Sequence, residues 1–126
     1  MNRTLVIVLL MFANCQTNKE SIIEIRSVDM DISTVISIRC EEFEDSFKNT
    51  EVRLKNINHK DSVHRFLEQI SQLKPDNDKR NPDTRAKIVI KNPFKTDTIC
   101  ADRFSLKYLD NYYVMSDELR KDIWSN

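Results

Sequence analysis

The chain has 126 residues, 32% of them charged and 40% hydrophobic, with 20 basic and 20 acidic side chains and no glycine. That balance belongs to a folded globular chain, and zero net charge provides no long-range field to gather phosphate backbones, so no nucleic acid is expected as a partner. The missing glycine excludes a GxGxxG fingerprint, a Walker loop, a GxSxG elbow and an EF-hand turn, each of which needs a positive φ or a close backbone approach.

Residues 1–14 read as a secretory signal peptide: Arg3 stands in a short n-region, an apolar run follows from Leu5 to Ala13, and polar residues come after it. At about 1.5 Å per residue that run is too short to cross roughly 30 Å of hydrocarbon as a helix. It ends at Phe12-Ala13-Asn14-Cys15, which resembles the lipobox of bacterial lipoproteins, with Phe12 and Asn14 where that family usually has Leu and a small residue. The resemblance covers this leader alone. It implies cleavage before Cys15, a diacylglycerol thioether on the cysteine sulfur and an amide-linked acyl chain; one chain binds a membrane marginally, whereas two or more hold it. Gln16, rather than aspartate, follows the cysteine and implies outer-membrane attachment, with the domain in the periplasm or at the cell surface. Plain secretion, with Cys15 lost or free, is the alternative.

Residues 16–20 then form a tether that reaches roughly 17 Å when extended, and residues 21–126 form one α+β domain. At about 112 residues, the chain without its leader buries enough surface to hold a core without metal. Assigning Cys15 to lipid leaves Cys40 and Cys100 as candidates for a disulfide in an oxidising compartment. Two other readings stay open, a pair of separately buried thiols and a nucleophile working with His59 or His64, which the spacing does not support.

Ser21 to Val28 and Ser33 to Cys40 are rich in β-branched residues, and Asp29-Met30-Asp31 between them predicts a hairpin turn. In the second run Ile36, Ile38 and Cys40 share one face. Glu41 to Asn49 reads either as a helical turn, with Phe43 and Phe47 at i, i+4, or as an irregular connection; it lacks the ligand spacing of a calcium loop. Thr50 to Ile57 predicts a third strand. The clearest helix follows, with Val63, Phe66, Leu67, Ile70 and Leu73 on one stripe, Asp61 or Ser62 to cap its start and Pro75 to end it.

Asp76 to Asp83 predicts a mobile polar loop. Arg85 to Lys91 alternates, with Ala86, Ile88 and Ile90 on one face; Asn92-Pro93-Phe94-Lys95 predicts a turn and Asp97 to Asp102 its partner strand. Phe104 to Leu109 and Tyr112 to Met115 predict a hairpin about Asp110-Asn111. Ser116, Asp117 and Glu118 open a short final helix docked by Leu119, Ile123 and Trp124. The expected architecture is α+β, a mainly antiparallel sheet packed by one amphipathic helix plus a short C-terminal helix.

No catalytic set, metal site or cofactor is implied. His59 and His64 are five apart, whereas helical metal pairs favour i, i+4. The acidic neighbours Glu42/Glu44 and Asp117/Glu118 carry no catalytic warrant without a shared cleft. Tyr112 and Tyr113 point to opposite faces of a strand, so one of them is a candidate partner surface. The expected function is that of an envelope lipoprotein binding another protein as an accessory, inhibitor or immunity-like module. An envelope enzyme and a carrier of a small apolar ligand are the alternatives.

Overall fold

The computed structural model describes residues 21–125. Its centre is a six-stranded, wholly antiparallel sheet in the order β2-β1-β3-β4-β5-β6. The strands are β1 (Ile22–Ser27), β2 (Arg53–Ile57), β3 (Ala86–Lys91), β4 (Thr96–Ala101), β5 (Ser105–Tyr108) and β6 (Asn111–Val114). The helices are α1 (Phe43–Ser46), entered through a 3-10 turn at Cys40–Glu42, α2 (Lys60–Ser71) and α3 (Asp117–Trp124). The expected α+β class is therefore observed.

Strand alternation decides what each face carries. Ile23, Ile25, Ala86, Ile88, Ile90, Ile99, Ala101 and Leu106 are buried on one face, and α2 and α3 cover it with Val63, Phe66, Ile70, Leu119 and Ile123. Leu73, just past α2, belongs to the same cluster. Each of the Val, Leu, Ile and Phe side chains among these contributes about 1.5–3 kcal/mol when it leaves water. The Ser116 hydroxyl caps α3, accepting from the Leu119 amide at 3.2 Å.

The opposite face is covered over one part only. Residues 28–52 fold back across it as a flap and carry their own small core of Val28, Ile38, Phe43 and Phe47, the two rings packed edge to face with centroids 5.3 Å apart. The expected hairpin between residues 21–28 and 33–40 does not form. Both edges of β1 are already taken, by β2 on one side and β3 on the other. Residues 33–40 find no free edge on β1, and Ile38 uses its backbone elsewhere: its amide donates to the Asp83 carboxylate at 2.7 Å and its carbonyl accepts from Thr84 at 2.8 Å. Ile38 is consequently buried, while Ile36, expected on the same face, is 67% exposed.

Three local expectations shift. The residue before α2 is His59, and its side chain makes no cap, so neither Asp61 nor Ser62 is the cap residue. The β5–β6 turn is Leu109-Asp110 rather than Asp110-Asn111, because Tyr108 pairs with Asn111. Leu109 and Asp110 both have positive φ, 49° and 60°, the geometry of the turn whose twist matches the flanking strands. The Asn111 side chain donates to the Leu109 carbonyl at 3.2 Å and so works beside the turn. Finally, the polar segment 76–83 is fastened. Asp76 is buried and accepts from the Asp78 amide and Arg80 Nε, both at 3.1 Å, Pro82 is buried, and the Asp83 amide donates to Asp102 at 2.9 Å.

Candidate functional site

Arg85 holds the flap to the sheet. The residue is 5% exposed, and its guanidinium grips both Asp83 carboxylate oxygens at 2.8 and 3.0 Å, donates to the Ile32 carbonyl at 3.1 Å and the Thr34 hydroxyl at 3.0 Å, and lies 5.6 Å from the Phe47 ring centroid. A buried guanidinium is tolerated only when its donors are spent in this way. The second fastener is covalent: Cys40 and Cys100 are joined as a disulfide with Cα atoms 5.6 Å apart, linking the start of the flap's 3-10 turn to β4. The third is Lys87, which meets Glu44 of α1 at 2.8 Å.

These fasteners shape a groove of about 370 Å³ between α1 and β2, lined by Arg26, Phe43, Glu44, Phe47, Lys48, Thr50, Val52 and Leu54. Phe43 and Phe47 form its buried wall, while Val52 and Leu54 stand on the open side, Leu54 at 60% exposure. β2 is an edge strand, and among the described residues no strand or bridge pairs with its outer side. On the inner face, Lys55 Nζ reaches the Asp122 carbonyl at 2.8 Å and Arg53 the Trp124 carbonyl at 3.4 Å. Both cations thus sit at the negative end of α3.

The other sheet edge is closed. Pro75 bridges Tyr113, the Asp76 amide donates to the Tyr112 carbonyl at 2.9 Å, and the Val114 amide donates to the Lys74 carbonyl at 2.8 Å. The two tyrosines point to opposite faces as expected. Tyr113 packs against the helix-side core, and Tyr112 is half-buried with Lys107 Nζ 5.5 Å from its ring centroid.

The remaining sequence candidates are dispersed. His59 lines a shallow cleft with Lys55, Ser62, Arg65 and Asp122; His64 lies exposed on α2. Glu42 faces Arg39 at 2.8 Å while Glu44 faces Lys87, and Asp117 pairs with Arg120 at 2.7 Å, away from Glu118. The structure therefore brings Cys40 and Cys100 together but gathers none of the acidic neighbours into one cleft. Cys15 and the tether lie outside the described residues.

Titration follows the same pattern. Hydrogen bonding to Arg26 lowers the Glu24 carboxyl and hydrogen bonding to Arg39 lowers that of Glu42. At Glu44 the largest influence is desolvation, which raises the pKa, but the Lys87 contact and a backbone hydrogen bond outweigh it and the result is lowered. Asp76 is lowered in the same way: desolvation is outweighed by Arg80 and the Asp78 amide. The Tyr108 phenol is raised by burial and by donating to Asp97 at 2.9 Å. The four lowered groups are carboxylates held ionised by neighbouring cations, as in structural ion pairs.

Among the described residues no cluster of three or more His, Cys, Asp or Glu side chains is arranged to hold a metal ion, and no helix is long and apolar enough to cross a membrane. Comparison with family models, curated proteins and solved structures gives no match. Sequence reasoning passed over Val52, Leu54 and Arg85. Leu54 has the alternation of an ordinary strand, and only the placement of β2 at the sheet edge leaves its side chain open.

Proposed function

We infer that this chain is a cell-envelope lipoprotein, held through lipid on Cys15 in the outer membrane, and that its domain binds another protein with the β2 edge and the adjoining groove. The observation that carries the binding reading is the contrast between the two sheet edges. Residues 74–76 close β6, whereas among the described residues the outer side of β2 is unpaired, beside exposed Val52 and Leu54. An open edge invites pairing with an extended segment, and apolar side chains beside it add specificity. The lipid reading rests on the FANC leader, and the Cys40–Cys100 bond supports it by accounting for the other two cysteines in an oxidising compartment.

The groove also lies at the productive end. The chain enters β1 at Ser21, and Ile22 and Ile23 are level with Lys91 and Ile57, while Val52 precedes the start of β2 at the opposite end of the sheet. A domain tethered through residues 16–20 presents the groove away from the bilayer, where a partner reaches it unobstructed.

The test is site-specific photocrosslinking in cells producing the native protein, with the crosslinker at Leu54 and, as control, at Tyr112. The expected result is an adduct of discrete size from position 54 in the membrane fraction and none from position 112. Equal crosslinking from both positions, or none from 54, overturns the interface. A Cys15→Ser variant that still fractionates with the membrane after alkaline washing overturns the anchor.

A further inference from the structure

The end of the sheet at which the chain enters carries exposed apolar side chains that the proposed interface does not use. Ile22, opposite Lys91, is 45% exposed, Leu109 in the β5–β6 turn is 59% exposed, and Phe94 in the β3–β4 turn is 93% exposed. Asn92 fixes that turn. Its amide donates to the Lys95 carbonyl at 3.1 Å, and its side-chain oxygen accepts from the Phe94 and Lys95 amides at 3.0 and 2.9 Å. The ring is therefore presented by a closed turn at the tip of the longest hairpin in the sheet, without a core to enter.

We propose that this tip, with Phe94 at its apex, Ile22 level with its base and Leu109 set back at the same end of the sheet, docks in the interfacial layer of the bilayer that anchors the protein. This rests on the lipid-anchor reading, because residues 16–20 lead from Cys15 to this end of the sheet and no other. Five residues reach roughly 17 Å at full extension, so the anchor holds the tip within reach of the headgroups at high effective concentration. A small apolar patch then suffices where it would not bind alone. Charge does not drive the contact. Lys91 is paired with Glu24 and Lys95 with Asp97, each at 3.4 Å, so the docking is apolar and persists at high salt.

Trp124 supplies the control. Its indole nitrogen donates to the Val28 carbonyl at 3.0 Å, beyond the far end of β1. The full-length protein and its F94W variant are extracted from membranes, the mass of the mature N-terminus is measured, and both are reconstituted in phosphatidylcholine vesicles with brominated acyl chains. The expected result is lipid on Cys15 and quenching of the indole added by F94W about threefold or more stronger than that of Trp124, unchanged by salt, as for a ring seated in the headgroup–acyl boundary. Lipid on Cys15 with F94W quenched no more than wild type overturns the docking and leaves the anchor standing, whether the ring then meets water or a second copy. An unmodified N-terminus overturns the anchor and the docking together.

Discussion

The two faces of the sheet are held by different physics. On one, α2 and α3 lay an apolar stripe on Ile23, Ile25, Ile88, Ile90 and Ile99, and non-directional burial does the work. On the other, the flap of residues 28–52 buries only a small cluster and depends on directed contacts: the Arg85 hub, the Cys40–Cys100 bond and the Lys87–Glu44 pair. Burial of a broad stripe tolerates local error, whereas a segment whose only regular structure is one short helical stretch stays in place only if named atoms meet. The groove proposed for binding is built from this second kind of structure, so its shape depends on a few groups.

That difference can be broken from either side. Phe66→Ala, at the centre of the helix-covered face, is expected to cost about 3–5 kcal/mol of global stability, lowering the midpoint of denaturant unfolding for every probe together. Replacing both Cys40 and Cys100 by serine removes a link across 60 residues worth about 4 kcal/mol in the chain-entropy model, less if the unfolded chain keeps structure. Its native-state signature is local: the Ile38 and Thr84 amides exchange faster while those of α2 and β3 keep their order of protection. Uniform loss of protection would show that the flap is part of one cooperative unit with the helix face.

Arg85→Met keeps most of the side-chain bulk but removes the donors to Ile32, Thr34 and Asp83. A loss of about 2 kcal/mol is expected, again concentrated in flap amides, and a Phe47 environment unchanged by NMR would contradict the hub. The smallest effect concerns Asp76. Its folded carboxyl is lowered below the ordinary value of 3.8, so its contribution is fully present above that value and is lost as pH falls toward the lowered one. Acid titration to below the ordinary carboxylate value should free the Asp78 and Arg80 contacts while leaving the helix-covered face intact.

Much of this architecture was legible in the residues. The α2 stripe, the inward set Ala86, Ile88 and Ile90, and the Ser116 cap follow from periods of 3.6 and 2 and from local hydrogen-bonding chemistry, which neighbouring residues settle among themselves. The β5–β6 turn was readable to within one residue, and only the pairing of Tyr108 with Asn111 placed it at Leu109-Asp110. Residues 33–40 show where local pattern stops. Their alternation suits a strand, yet strandhood needs a free edge, and β2 and β3, distant in sequence, already occupy both edges of β1.

The sequence by itself determined the six strands, the two longer helices and the apolar stripe that makes the core, while its pattern at residues 33–40 pointed to a strand that does not form. Tertiary structure alone decided that Cys40 reaches Cys100, that β2 lies unpaired among the described residues at one edge while residues 74–76 close the other, and that Phe94 shares an end of the sheet with the start of β1. The reason is physical. Periodicity and caps are settled over a few residues, but edges, exposure and the meeting of side chains depend on which distant strands win the competition to pair, and that competition is decided by the whole chain at once.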